Sequence, residues 1–530
     1  MPLPADRNAT WPPPYWAQDQ RQIEEARAWL VGNLHDLGTF YANKGNRRPG
    51  WRTKLIERML KQEHEGQVNH NRLHVPLPRQ IARTAASLLF SEGVSLQVAG
   101  AHEDRTQEDG TEAPPTPEQV AAQAVEDRLQ ELWDEGGWAS TLWQAAYVAS
   151  GEGGVWLRPT WDTAVSGAPI LQVFHHNRAV PVFRSGQLVE VTLWRVLEVT
   201  ADKKYLRHLE VYTPGQVQHA LYRGSEDRLG DRLDLGASSA TDEFARVADQ
   251  DGVIDLAEYG IEGLLPEYVP NVLPNVVTLS SEVGSADTAG LEDQLFALDE
   301  ADTGWHGDVR VGKRRIIVDE SMLERHGRGG GADFDFDQEV FVGLHYGALN
   351  DNAKIEAIDF DIRSDQYEST VTNRFNRTCL AAGYNPESVT WSSTGEQMTA
   401  TEVLARDALS ADTTASKRRF FERAIVACAY KALLIDRFVF NSPLEPVYPE
   451  VVWPTGDDDT LKQTADLVNT LALAGAISTY EKVKRVNPDW SDDRVQQEVD
   501  RIRQDTGQSV PDPTAQLESR ELPVPPEPVV

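Results

Sequence analysis

Residues 391–440 read WSSTGEQMTATEVLARDALSADTTASKRRFFERAIVACAYKALLIDRFVF. No proline or glycine follows Gly395 in this stretch, so nothing local interrupts a helix of roughly 40 residues, about 60 Å at 1.5 Å per residue. Thr399, followed three positions later by Glu402, fits a capping box in which each side chain satisfies the other's orphan N–H. Apolar residues then recur at helical spacing: Val403, Leu404, Ala408, Leu409, Phe420, Phe421 and Ala424, and on to Leu434 and Phe438. Small residues fill the first half (Ser410, Ala411, Thr413, Thr414, Ala415, Ser416) and bulky ones the second. Such a helix exceeds the usual length in globular proteins, so it is expected to join domains or span an assembly.

The surrounding chain bounds what the protein can be. With 530 residues, 40% of them hydrophobic, and 14 tryptophans, it can bury large cores in two to four domains. Its formal charge of −32 opposes a grip on nucleic acid by phosphate neutralisation, which calls for a basic surface. Only two cysteines occur, Cys379 and Cys428, so there is no disulfide framework, and a reducing compartment is expected. The N-terminal MPLPADRNAT lacks an apolar signal core, and no run of about 18 apolar residues exists, so a soluble cytosolic product with no membrane partner is expected.

Taken in order, residues 20–37 read as a helix with Ile23, Ala26, Leu30 and Leu34 on one stripe. Within 69–98, Pro78 opens a helix and Gly93 follows its end, and the strand SLQV comes next. Residues 101–116 read as a polar surface loop, with helices from Pro117 to about Trp133 and over 139–150, broken at Gly136-Gly137. From 154 to 222 the period drops to two, which predicts an antiparallel meander. The charged 224–247 segment reads as a mobile surface excursion, and 264–281, with three prolines, as a bridge. A helix is expected over 286–305, then strands at RRIIVDE, QEVFVGL and KIEAIDF, then a helix over 362–382 with Tyr367, Val371, Phe375 and Cys379 at intervals of four. Residues 384–397 form a polar loop ahead of the long helix. Short helices follow over 457–474, 478–486 and 491–503, and the tail from 511, rich in Pro, Glu and Val, is expected to be disordered. The whole is α+β.

No active-site motif survives inspection. Gly307 to Lys313 matches phosphate-loop spacing, but Arg314 replaces the magnesium-binding hydroxyl, and the segment follows a helix and opens a strand. Asp333, Asp335 and Asp337 alternate like calcium-loop ligands. Gln338 and Leu344, however, stand where glycine and glutamate belong, so a solvated acidic edge is the better reading. His175 and His176 are adjacent on a predicted strand, point to opposite faces and cannot share a metal. No catalytic residue, metal or cofactor is expected.

The order of these segments resembles the portal proteins of tailed bacteriophages, in particular the actinobacteriophage and SPP1-like portals. The resemblance rests on the Thr399-Ala-Thr-Glu-Val403 lead-in to a long helix with a Thr-rich, Lys-bearing middle, preceded by a loop and a helix. It rests also on the proline-bearing linker Leu273-Pro274-Asn275 and on Gly284-Ser285-Ala286-Asp287, a variant of the family's Gly-x-Ser-Asp. A helix reaching Trp305 then leads to Arg310-Val-Gly-Lys313-Arg-Arg315-Ile316, and LLFSE ends an early helix. It spans residues 69–503.

The resemblance implies a portal fold: a wing over 1–285 with an antiparallel sheet, a stem helix over 286–306, a clip over 307–360 and a second stem helix over 361–383. A tunnel loop over 384–398, a long wing helix over 399–440, a helical crown over 441–506 and a disordered tail over 507–530 complete it. It implies a homo-oligomeric ring of about twelve subunits at one capsid vertex, through which double-stranded DNA is packaged and ejected. Its implied partners are the terminase large subunit (the packaging ATPase), the head-tail adaptor, and the major capsid and scaffolding proteins. Leu291, Leu295, Leu298, Tyr367, Val371 and Phe375 would pack the stem. Glu387, Trp391, Ser392, Ser393 and Glu396 would face DNA from the tunnel loop. Arg310, Lys313, Arg314 and Arg315 would dock the motor or adaptor. The charge agrees: acidic side chains around a lumen hold DNA off the wall over about one Debye length, roughly 8–10 Å, so a conduit fits better than a DNA-binding module. An adaptor or baseplate component is the alternative, and a capsid- or DNA-processing enzyme a more distant one.

Overall fold

One uninterrupted helix of 40 residues, Ala400–Val439, runs through the main unit of the computed structural model. The described residues are 3, 8–34, 36–38, 73–91, 93–102, 114–311, 315–317, 324–325, 332–333, 356–358, 363–389, 400–454, 468, 477–486 and 492–505. They fall into two compact units, Met1–Val452 and Trp453–Val530. The long helix begins one position after Thr399, as the capping signal predicts; that residue lies outside the described set.

The small residues in the first half of the long helix divide between a covered face and an open one, with Ala411, Ala415 and Ser416 exposed. Ser410 and Thr414 are buried. The Thr414 hydroxyl donates to the Ser410 carbonyl at 2.7 Å, so burial leaves it satisfied. The bulky half buries Phe421, Ile425, Cys428, Leu433 and Ile435, each at 2% exposure or less. Leu434 and Ile435 join a core with Trp156, Val191, Leu193 and Tyr212, placing the end of the helix against the sheets.

Those sheets number two where the alternation reads as a single meander. Strands β2 (Gly154–Thr160) and β3 (Ile170–His175) form a three-stranded antiparallel sheet with β10 (Glu267–Pro270). Strands β4 (Ala179–Arg184), β5 (Gln187–Val199), β6 (Tyr205–Thr213), β7 (Gln216–Gly224) and β8 (Asp231–Leu233) form a six-stranded sheet, with β9 (Val253–Asp255) pairing β7. The break falls at His176–Arg178, a single 3-10 turn. Period-two patterning fixes strands but not their partners, so the split is invisible in the sequence. The 264–281 segment supplies β10 rather than a mere bridge. The 224–247 segment is likewise no excursion: it supplies β8 and the helix Asp242–Val247, and buries Leu229 and Thr241 completely.

Helices Ala17–Val31, Leu77–Phe90, Pro117–Asp134 and Trp138–Glu152 surround the sheets. The first stops six residues before its expected end because Gly32, at φ 69°, turns the chain. The capping box at Thr116 and Gln119 is fully formed. Strand β1 (Ser95–Gln97) pairs with the strand Glu450–Val452, tying the chain just past the long helix to an early segment.

Two further helices form an antiparallel hairpin: Glu292–Val311 and Ser364–Ala381. The first begins six residues later than the sequence suggests, because Gly290 adopts φ 78° and 284–289 is committed to tertiary contacts. It also runs past Gly307, so Arg310 is helical and not on a strand; one interior glycine costs a helix only about 1 kcal/mol. Beyond it, Arg315–Ile317 pairs with Glu356–Ile358, and Glu324–Arg325 with Ala332–Asp333. The expected QEVFVGL strand, Asp335, Asp337, the 457–474 helix apart from residue 468, and the tail lie outside the described residues.

In the second unit, Thr479–Val486 and Asp492–Asp505 bury Val483, Val495 and Val499 together. The Ser478 hydroxyl caps the first of them, accepting from the Glu481 N–H at 3.2 Å.

Candidate functional site

The helical hairpin is rooted in the body by one apolar core. Leu295, Leu298 and Cys379 are buried there with Trp29, Leu77 and Ile81 of two early helices, and Leu291, Val371 and Phe375 pack against the same cluster. Five of the six packing residues singled out from sequence therefore meet. The sixth, Tyr367, lies further along the hairpin and stacks on Trp305 at 6.5 Å between ring centroids. Near it, Arg363 and Asp308 approach to 3.5 Å across the two helices. Polar pins complete the attachment: Asp299 accepts from the Val75 N–H at 2.8 Å and meets His74 Nδ1 at 2.9 Å, and Thr303 Oγ1 accepts from the Leu73 N–H.

A buried polar node fastens the root. The Lys417 ammonium donates to both Asp287 oxygens, at 2.8 and 2.6 Å, and to the Tyr384 hydroxyl at 2.8 Å. The Tyr384 hydroxyl in turn donates to Asp287 Oδ2 at 3.0 Å, Ser150 Oγ to the same oxygen at 2.6 Å, and Asn271 Nδ2 to Oδ1 at 2.8 Å. All of these residues are buried. Burial pulls Lys417 below its ordinary value, an effect the Asp287 carboxylate opposes, and it lifts Tyr384 well above its own. The node draws together the helix ending at Glu152, the chain after β10, the turn before the hairpin, the residue after the hairpin, and the long helix.

Next to the node the long helix grips the exit of the hairpin. Gly383, at φ 86°, ends the second hairpin helix, and its carbonyl accepts from Thr413 Oγ1 at 2.7 Å. Asn385 N–H donates to Ser410 Oγ at 2.9 Å. Pro386–Val389 is a short helix whose Val389 is buried. The 384–397 segment is thus packed as far as Val389 and is not a free loop from its start. Glu387 sits half-buried in this packed part, its N–H donating to Asn385 Oδ1 at 3.2 Å. Trp391, Ser392, Ser393 and Glu396 lie outside the described residues, as do Lys313 and Arg314. Arg310 and Arg315 are separated, one in a helix and the other on a strand.

Sequence reasoning quoted Asp287 within its tetrapeptide and noted the lysine of the long helix, but gave neither a role. A signal was present. Ser410, Thr414, Lys417, Phe421 and Ala424 follow one another at helical spacing, which places Lys417 on the buried stripe.

A second buried cluster tests metal chemistry. Among the described residues, His208, Glu210 and His219 bring ligand atoms within 4.8 Å of one another. Arg158 and the Tyr212 hydroxyl already occupy Glu210 Oε2, and Arg195 meets Oε1 at 3.0 Å. Burial pushes the Glu210 carboxyl up, but Arg158 and its other cationic neighbours outweigh that and bring it down to about 2. A cation would have to displace two guanidinium groups, so this donor set does not fit one. It is a structural network. No helix among the described residues is long and apolar enough to cross a membrane.

The sequence model of the family described as phage portal protein, SPP1 Gp6-like, matches residues 17–512. A search of curated proteins returned no match.

Proposed function

This chain belongs to the SPP1 Gp6-like family of phage portal proteins, and from that premise we propose that it assembles into a ring forming the conduit for double-stranded DNA at one capsid vertex. The family match over residues 17–512 carries this reading. In it the hairpin Glu292–Val311 and Ser364–Ala381 is the stem, the 312–362 segment the clip, and 390–399 the tunnel loop. The body up to β10, with the long helix, is the wing, and the last two helices belong to the crown. The clip, with Lys313, Arg314 and Arg315 and with Arg310 at the end of the stem helix before it, docks the terminase motor and later the head-tail adaptor.

Two physical features support it. The hairpin is anchored at its root and leaves its other face to solvent, an arrangement suited to lining a channel. The charge of −32 keeps a polyanion from being held. No catalytic step is part of this role.

Electron micrographs of the purified protein, averaged down the particle axis, test the reading. A ring with a central hole is the expected result. A monomer at micromolar concentration across a range of salt overturns it.

A further inference from the structure

The face of the hairpin turned away from its apolar root is basic on one wall. On the helix Ser364–Ala381 the residues facing the root are Val371, Phe375, Cys379 and, beyond its end, Ala382. At 100° per residue, Arg363, Thr370, Arg374 and Arg377 fall on one stripe well to the side of that apolar line. Arg363, Arg374 and Arg377 are exposed. The stripe lines two adjoining clefts between the hairpin helices. One, of about 600 Å³, is walled by Arg374, Arg377, Asn373 and Gln294. The other, of about 320 Å³, is walled by Arg363, Arg374 and Gln366, with Glu300 opposite.

The setting of the stripe is acidic. The chain carries 83 acidic residues against 51 lysines and arginines, yet Arg374 and Arg377 form no ion pair with any described residue. Arg128 pairs with Asp436, and Arg158 and Arg195 with Glu210, whereas the Arg374 and Arg377 side chains are left exposed. Beside these guanidinium groups stands the Gln366 amide, while the Thr370 hydroxyl and the Asn373 amide already donate to the Gln366 and Ser369 carbonyls. Guanidinium forks flanked by an amide donor suit phosphate oxygens.

We propose that this stripe contacts the phosphate backbone of double-stranded DNA passing along the hairpin. The inference rests on the portal reading above. In a ring whose bodies lie outside the hairpins, the face that turns its back on the body looks toward the axis. Weak attraction at Arg374 and Arg377, opposed by Glu300 across the cleft and by the acidic remainder, centres the duplex without holding it. A pore that only repelled DNA would never admit it, and one that neutralised many phosphates would not release it.

Purified wild-type and R374Q/R377Q protein would be checked by native mass spectrometry, then mixed with a fluorescent 30-base-pair duplex and followed by anisotropy from 20 to 200 mM salt. The expected result is intact rings of both, with the variant binding roughly tenfold more weakly at the lowest salt and its log–log salt slope shallower by about 1 to 2. Equal affinity and slope in intact rings overturn the proposal, as does the absence of duplex binding by intact wild-type rings. Loss of the ring in the variant alone also overturns it, since the arginines would then be holding a neighbouring copy. A wild-type protein that forms no ring removes the portal reading itself.

Discussion

Lys417 and Asp287, 130 positions apart in the chain, form a doubly hydrogen-bonded ion pair with N–O distances of 2.8 and 2.6 Å. Both side chains are almost wholly removed from solvent. An ion pair so buried repays its desolvation only when the remaining lone pairs are met, and here Ser150, Asn271 and Tyr384 meet them. Removing one partner strands the other. Lys417→Met is expected to cost about 3–5 kcal/mol in urea unfolding. The double change Lys417→Met with Asp287→Asn is expected to cost clearly less than the sum of its parts, because no charge is left unpaired. Strict additivity in that cycle would show the pair is not coupled.

Gly383 lets the chain leave the hairpin and still touch the long helix. Its φ is 86°, and a Cβ added there would lie 2.7 Å from Thr413 Oγ1. Gly383→Ala is therefore expected to destabilise by about 1–2 kcal/mol through backbone strain and the clash together. In a Thr413→Ala background the penalty should shrink without vanishing, since the strain remains when the clash is gone. A thermal shift unchanged by the second substitution would assign the cost to the backbone alone.

Three buried histidines set a pH dependence. Burial lowers His176 and His219 to about 4 and His208 to about 3, in each case against a partly opposing carboxylate. Glu152 faces His176, and Glu210 with Arg158 and Arg195 surrounds the other two, which stack with Phe244. Folded values below the unfolded one mean that the unfolded chain takes up protons first. The stability that comes from keeping these rings neutral is full above about pH 6.5 and is lost as pH falls toward 4. Each ring contributes up to about 1.4 kcal/mol per pH unit within that window. Urea midpoints should drop between pH 7 and 5, and His219→Gln should flatten the decline. An unaltered slope in that variant would remove His219 from the account.

The long helix was legible almost to the residue because its pattern is local: no breaker, a cap signal and a persistent period. The strands from Gly154 to Gly224 were equally legible one by one. Their division into two sheets was not, since pairing depends on which faces meet in space, and nothing local distinguishes the turn at His176 from a continuing strand. The hairpin helix that starts at Glu292 was read too early for a similar reason. Residues 286–291 adjoin the helical stripe and hold two alanines and a leucine, but Asp287 is drawn into contacts with Ser150 and Asn271 and Gly290 turns the chain. The packing residues Leu295, Leu298 and Phe375 were readable as stripes, whereas the polar node that fixes them was not. Helical spacing puts Lys417 on the buried stripe, but its partner Asp287, 130 positions away, carries no local sign of the pairing.

The basic group at the far end of the hairpin is expected to serve docking. Arg315 begins a strand paired with Glu356–Ile358, and Arg314 precedes it in the sequence. Arg314→Glu with Arg315→Glu should abolish DNA packaging in an infected cell while micrographs still show intact rings. Normal packaging by that variant would remove the docking role from these side chains.

The segment between Val389 and Ala400 joins the root of the hairpin to the long helix. Val389 is buried in the core that roots the hairpin, so a deletion must spare it or it will unfold the root. Removal of residues 391–395 spares it, and spares also Ser410 and Thr413, which hold the chain at Asn385 and Gly383. In the portal reading these residues belong to the loops that converge on the channel, and their polar composition, with Glu387 and Glu396 near either end, allows contact with DNA without retention. The shortened protein is expected to unfold within about 1 kcal/mol of wild type, because the deletion leaves the contacts at Gly383, Asn385 and Val389 in place and shortening a connection changes its closure cost little. It is expected to form rings of normal size. Packaging, or retention of packaged DNA, should fall by an order of magnitude or more. Full packaging with intact rings would assign the narrowest contact with DNA to another part of the channel, and failure to assemble would make the segment a subunit contact instead.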